Sequence, residues 1–113
     1  MILKSKIEVT YNQAITGTAT GIIQGVIESI AWDNDFQRVG VNFAYFDAND
    51  QMLFRNAFFV QGDSIDAFYD SIKANIPTGL GKRDTERWTF YLAFQFQMAQ
   101  TFGIEASQIE IIE

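Results

Sequence analysis

At 113 residues the chain is one domain (1–113) by size, with room for a single core and none for an independent second module. Hydrophobic residues at 48%, aromatics at 15% and 11 Phe beside 1 Pro argue for a packed fold rather than disorder. With no His and no Cys there is no imidazole base, Ser-His-Asp triad, thiolate nucleophile, disulfide or His- or Cys-ligated metal, and a net charge of −6 argues against sequence-specific nucleic-acid binding.

Met1-Ile2-Leu3 runs at once into Lys4 and Lys6, so no apolar stretch follows a basic start and no secretory leader is expected. From Leu3 to Tyr11 the residues alternate, with Leu3, Ser5, Ile7, Val9 and Tyr11 opposite Lys4, Lys6, Glu8 and Thr10, which predicts one half-buried strand. The Thr-, Gly- and Ala-rich segment 12–21 has no period and reads as a loop or flexible arm, or as an extension of that strand. Gly17, Gly21 and Gly25 are spaced like a transmembrane packing motif, but Gln24, Glu28, Ser29 and the threonines between Ala14 and Trp32 make that stretch too polar to span a membrane.

Ile22–Val60 reads as an antiparallel meander. Its first run, Ile22–Trp32, sets Ile22, Val26, Ile30 and Trp32 on one face and Ile23 and Ile27 on the other. The second, Phe36–Phe46, sets Val39, Val41, Phe43 and Tyr45 opposite Arg38, Gly40, Asn42 and Ala44. The third, Met52–Val60, sets Met52, Phe54, Phe58 and Val60 opposite Leu53, Arg55, Ala57 and Phe59. Asp33-Asn34-Asp35 and Asp47-Ala48-Asn49-Asp50 supply turn residues that tolerate the backbone angles of tight hairpins.

After Gly62 the period becomes helical, with Ile65, Phe68, Tyr69, Ile72 and Ile76 on one stripe; Asp63 is the expected N-cap, Asp66 lies near the positive helix end, and Pro77 ends the segment. Thr78-Gly79-Leu80-Gly81 is an irregular connection. Asp84–Phe102 alternates Trp88, Phe90, Leu92, Phe94, Phe96 and Met98 as a strand would, yet it far exceeds an ordinary strand of about 5–6 residues. A helical plot leaves Glu86, Thr89, Ala93, Gln97 and Gln100 as a narrow stripe, so a largely buried helix is predicted, with Asp84 as N-cap and a Schellman stop at Gly103-Ile104. Gln108–Ile112 predicts a last strand that returns to the sheet. The expected class is α+β: an antiparallel β-meander of about four to five strands packed against two helices, the second long and largely buried.

The chemical candidates reduce to local structure. Asp47-Ala48-Asn49-Asp50 begins like a calcium loop, but Met52 stands where the sharp-turn Gly is needed and Phe58 where the bidentate Glu is needed. Gly79-Leu80-Gly81-Lys82-Arg83 has its glycines too close for a phosphate-binding loop, and Arg83 replaces the hydroxyl residue. No pair of acids stands out, and the aromatic series Trp88–Phe102 reads as core before it reads as the lining of an apolar pocket. No catalytic, cofactor-binding or metal-ligating residue is assigned, no cofactor is expected, and the chain is expected not to be an enzyme.

A sheet of adjacent strands leaves at least one edge open. Lys4, Lys6 and Glu8 guard the first strand, whereas the 12–21 arm is able to reach a neighbour and add a strand there, which predicts a self-assembling subunit.

Tyr45-Phe46-Asp47-Ala48-Asn49-Asp50 at a turn, Gly62-Asp63-Ser64-Ile65 opening a helix, and the tail Phe102-Gly103-Ile104-Glu105-Ala106-Ser107-Gln108-Ile109, in a short acidic chain without Cys or His, give a sequence that resembles the small virion proteins of tailed bacteriophages. The resemblance implies a structural subunit of the neck, head-to-tail connector or tail. Such a subunit is assembled in the host cytoplasm into a homo-oligomeric ring of the virion and binds itself and other virion structural proteins. An acidic lumen would suit passage of DNA by repelling it. The alternative is a small apolar-ligand-binding α+β domain, and an enclosed volume of about 300–1,000 Å³ is what would favour it.

Overall fold

The computed structural model describes residues 1–13, 17–33 and 38–113. Among them the elements run β1 (Ile2–Ser5), β2 (Val9–Gln13), β3 (Gly17–Gly21), β4 (Gln24–Asp33), β5 (Arg38–Phe46), β6 (Met52–Gln61), α1 (Gly62–Ile72), α2 (Lys82–Phe102) and β7 (Ile109–Ile112). Five strands form an antiparallel sheet in the order β6-β5-β4-β1-β7, and β2 and β3 pair with each other as a separate hairpin. The α+β class, the meander β4-β5-β6, the long second helix and the returning last strand are those the sequence predicts.

The sheet buries one face against α2. Val39, Val41, Phe43 and Tyr45 of β5 all point that way and are buried, as the period of two requires. From the helix, Phe90, Tyr91, Phe94 and Met98 meet them, joined by Leu3, Ile23 and Ile109. Phe94 lies 4.8 Å from Phe43 and 5.6 Å from Tyr45, centroid to centroid, and Phe102 meets Tyr45 edge-on at 5.0 Å. Each such side chain contributes roughly 1.5–3 kcal/mol on full burial, so this helix-sheet contact dominates the stability of the domain. On the far side of α2, Ile72 and Ile76 pack with Leu92, flanked by Leu80, Trp88 and Ile111.

Four local expectations differ from the structure. The predicted strand Leu3–Tyr11 is two strands. Ser5 holds β1 in the sheet, its N–H donating to Ile23 O at 2.9 Å and its buried hydroxyl accepting from Ile23 N at 3.0 Å, whereas β2 turns out of the sheet after Lys6-Ile7-Glu8. The sequence alternates through the break, but Lys6, Ile7 and Glu8 are all exposed there, so Ile7 leaves the buried side it was expected to join. The segment 12–21 is ordered strand over its described residues. β2 and β3 pair from Val9↔Gly21 to Gln13↔Gly17, and Thr10 faces Thr20 with hydroxyls 3.4 Å apart. Residues 14–16 lie outside the described residues.

In β4 the register against β5 shifts between Ile27 and Ser29. The extra residue, Glu28, brings Ile27, Ile30 and Trp32 onto the face shared with Phe43, Val41 and Val39 and leaves Val26 on the other, so the predicted partition of that strand fails at the bulge. Beside it the Ile27 N–H donates to the Tyr91 hydroxyl at 3.1 Å.

Neither helix starts at its predicted cap. Gln61 precedes α1 and Gly81 precedes α2, both extended and neither giving a side-chain cap, while Asp63 and Asp84 lie inside the first turns. β6 passes into α1 without a loop, so the end of the sheet fixes the start of the helix and overrides the capping preference. Both carboxylates still favour the positive helix ends. The predicted stop of α2 holds: Gly103 has φ 67°, and the N–H groups of Gly103 and Ile104 both donate to Ala99 O.

Candidate functional site

Strand β6 ends the sheet, and its outer side has no strand partner among the described residues. Ala57 N–H donates to the Asn56 side-chain oxygen at 2.8 Å, so that amide is not committed to the β5 ladder. By alternation the N–H groups of Arg55, Ala57 and Phe59 then point to the open side. This edge is apolar. Met52, Phe54 and Phe59 are 47%, 36% and 60% exposed, and the one charge on the strand, Arg55, is held by Glu28 at 2.8 Å on the outer face of the sheet. Natural edge strands are usually guarded by charge, Pro or a short length; β6 has ten residues, no Pro and a single charge, Arg55, paired with Glu28.

A groove opens between the inner face of β6 and the two helices. Phe58 and Val60 form its floor, Ser64 and Phe68 of α1 one wall, and Phe90 and Phe96 of α2 the other. Its volume is about 330 Å³. Phe68 and Phe96 meet edge-on across it, 6.1 Å apart, with Phe96 53% exposed. Thr89, at its base, spends its hydroxyl on Thr85 O at 2.9 Å, and Ser64 is the other polar residue of an otherwise apolar lining. Groove and open edge share β6, with Phe54 and Phe58 on the groove's face of the strand and Phe59 on the opposite face beneath Arg38.

The turn at Asp47 is used by the fold. The Asp47 carboxylate is buried and accepts from Asn49 N and Gln51 N, each at 2.9 Å, while Asp50 takes φ 62°. Asp47 Oδ1 is therefore the acceptor of both turn amides, and no group of three or more His, Cys, Asp or Glu placed to hold a metal occurs among the described residues. Asn34 and Asp35 of the first acidic turn, and the side chain of Ile65, lie outside the described residues. Gly79–Gly81 is a loop entering α2, with Gly81 O accepting from both the N–H and the hydroxyl of Thr85, and Lys82 and Arg83 are exposed. In the aromatic series Phe90, Tyr91, Phe94 and Met98 are core, whereas Phe96 turns outward to the groove. No helix among the described residues is long and apolar enough to cross a membrane.

Two tyrosines on the sheet-helix contact are shifted. Burial pushes the Tyr45 hydroxyl far above the ordinary tyrosine range, with the Thr101 side chain offsetting part of the effect. Burial also raises Tyr91, opposed by its hydrogen bond with the Ile27 backbone and by Arg87. Both shifts favour the neutral phenol and suit packing, not proton transfer.

No family model, no curated protein and no solved structure matches this chain.

The edge and the groove were missed in the sequence. A signal was present in Phe54-Arg55-Asn56-Ala57-Phe58-Phe59, where large aromatics fall on both faces of one strand, a pattern that only a covered second face or a contact surface rewards.

Proposed function

We propose that this chain is a non-enzymatic structural subunit that assembles with copies of itself. The observation that carries the reading is β6, an open edge of ten residues bearing Met52, Phe54 and Phe59 in solvent, with the apolar groove directly behind it. Exposed apolar patches of this kind mark contact sites. The resemblance to small virion proteins of tailed bacteriophages gives the assembly its setting: a homo-oligomeric ring in the head-to-tail connector or tail, contacting other virion proteins. Light scattering on the eluting chain at increasing concentration, with electron microscopy of the same fractions, tests this. Particles of several subunits, ring-shaped in projection, are expected; a strict monomer at all concentrations overturns the reading.

The groove favours a second reading, an apolar-ligand binder. Its volume of about 330 Å³ falls at the small end of the ligand-site range of roughly 300–1,000 Å³. Saturable binding of an environment-sensitive apolar dye, lost in Ala93→Trp while the fold persists, would favour the ligand reading over the structural one.

A further inference from the structure

We propose that the occupant of the β6 edge is the β2-β3 hairpin of a second copy of this chain, so that each subunit extends its neighbour's sheet. This deepens the assembly reading and rests on it.

The hairpin is built to leave its own domain. It departs from the sheet between Ser5 and Gln24, and its described residues pair only with one another, so both its outer edges carry unpaired backbone groups. Its base is anchored: Val9 is buried in the core and Tyr11 packs against it. On the opposite face Thr10 and Thr20 are exposed, and beyond Tyr11 so are Asn12 and Thr18. An anchored base and an exposed end suit an arm.

Charge selects the arm over other surfaces of the copy. The chain carries −6, so two copies repel one another overall and contacts between uncharged segments are favoured. From Val9 to Ile27 no residue is charged, and on β6 the lone Arg55 is already engaged by Glu28. Pairing these two segments avoids the repulsion. Size is compatible: β3 reads Gly17-Thr18-Ala19-Thr20-Gly21, small residues that leave room for the large side chains of Phe54, Phe58 and Phe59.

The edge is ready for the addition. Asn56 already satisfies Ala57 N–H with its own side chain, and rotation of that side chain frees the amide for an incoming carbonyl. Backbone hydrogen bonds then supply affinity, and the apolar side chains of β6 supply burial. An arm-to-edge contact uses two different surfaces and is head-to-tail, the arrangement that closes into a ring when the rotation between copies permits.

Two variants of the full chain and their mixture test this by light scattering. Ala57→Pro removes an amide that β5 does not use and blocks strand addition; Phe59→Lys is a second edge variant. Thr18→Lys with Thr20→Lys charges the arm. Circular dichroism verifies that each folds. Expected are an assembled parent chain, monomeric edge and arm variants, and a heterodimer when the two are mixed, because one good edge and one good arm remain. An arm variant that still assembles while both edge variants do not means β6 pairs with itself, which overturns the arm proposal and spares the assembly reading. Variants that all assemble like the parent overturn it too. A monomeric parent removes both.

Discussion

The Phe94 ring fills the space that a side chain on Gly25 would take: a methyl group there would stand 2.9 Å from Phe94 Cζ and 3.3 Å from Tyr45 Cδ1. The missing side chain at Gly25 thus lets Phe94 of α2 pack directly on the sheet. Gly25→Ala is expected to push the helix outward and to destabilise the fold by about 1–3 kcal/mol, the usual cost of overpacking. Chemical denaturation measures it, and a variant as stable as the parent would contradict this close fit.

Tyr91 closes the bulge in β4. Tyr91→Phe keeps the ring but removes the acceptor for Ile27 N–H. A loss of about 1 kcal/mol is expected. Hydrogen exchange at Ile27 should accelerate, while amides in the middle of β5 change only with global stability.

Alkaline pH should weaken the fold. Both Tyr45 and Tyr91 have folded-state pKa values raised above their unfolded values, first of all by burial. Their contribution is fully present below about pH 10, the ordinary tyrosine value. It is lost as pH rises further, because the unfolded chain releases those protons first. The loss has a limiting slope of about 1.4 kcal/mol per pH unit for each tyrosine that is ionised only in the unfolded chain. Tyr45→Phe should reduce the slope of stability against pH, and a denaturation series from pH 8 to 11 reads it.

The same substitution should be close to neutral at pH 7. The Tyr45 hydroxyl is buried without a well-formed hydrogen bond, so replacing it removes a desolvated polar group while leaving the ring contacts with Phe43, Phe94 and Phe102. A loss above about 2 kcal/mol would mean that the hydroxyl is well satisfied.

Asp47→Ala deletes the acceptor of two turn amides, Asn49 N and Gln51 N. Roughly 1–3 kcal/mol of destabilisation is expected, with Asp47→Asn recovering most of it because one side-chain oxygen remains. Thermal unfolding of both variants in calcium-free and calcium-containing buffer checks it. Equal shifts in the two buffers are expected from a turn acceptor, and a calcium-dependent difference would point to a ligand.

Legibility followed the range of the interaction. The turn at Asp47, the stop at Gly103 and the helical nature of Asp84–Phe102 are local, and the residues that specify them are neighbours in sequence. The helix was recoverable despite the strand-like alternation of its aromatics because its length far exceeds a strand, although the predicted polar stripe is not its solvent face: Thr89 is buried and Phe96 is exposed. The bulge at Glu28 was not recoverable: one inserted residue puts Ile27 rather than Val26 on the face of Ile30 and Trp32, and only the pairing with β5 records the slip. The hairpin β2-β3 was hidden because Thr, Gly and Ala give a weak pattern until two such strands lie together. The groove was hidden because its floor and walls come from β6, α1 and α2.

By itself the sequence determined the α+β class, the type of most elements, the turn and stop chemistry at Asp47 and Gly103, and the catalytic designs that a chain without His or Cys lacks. Only the tertiary structure decided that β1 enters between β4 and β7, that β2 and β3 leave the sheet, and that β6 stands at the edge with an apolar groove behind it. The physical reason is that alternation tells each strand which side chains to bury but not which strand to lie beside. That choice depends on contacts between residues far apart in the chain, such as Leu3 with Gly25 and Ile111, and on how α2 covers the face they share.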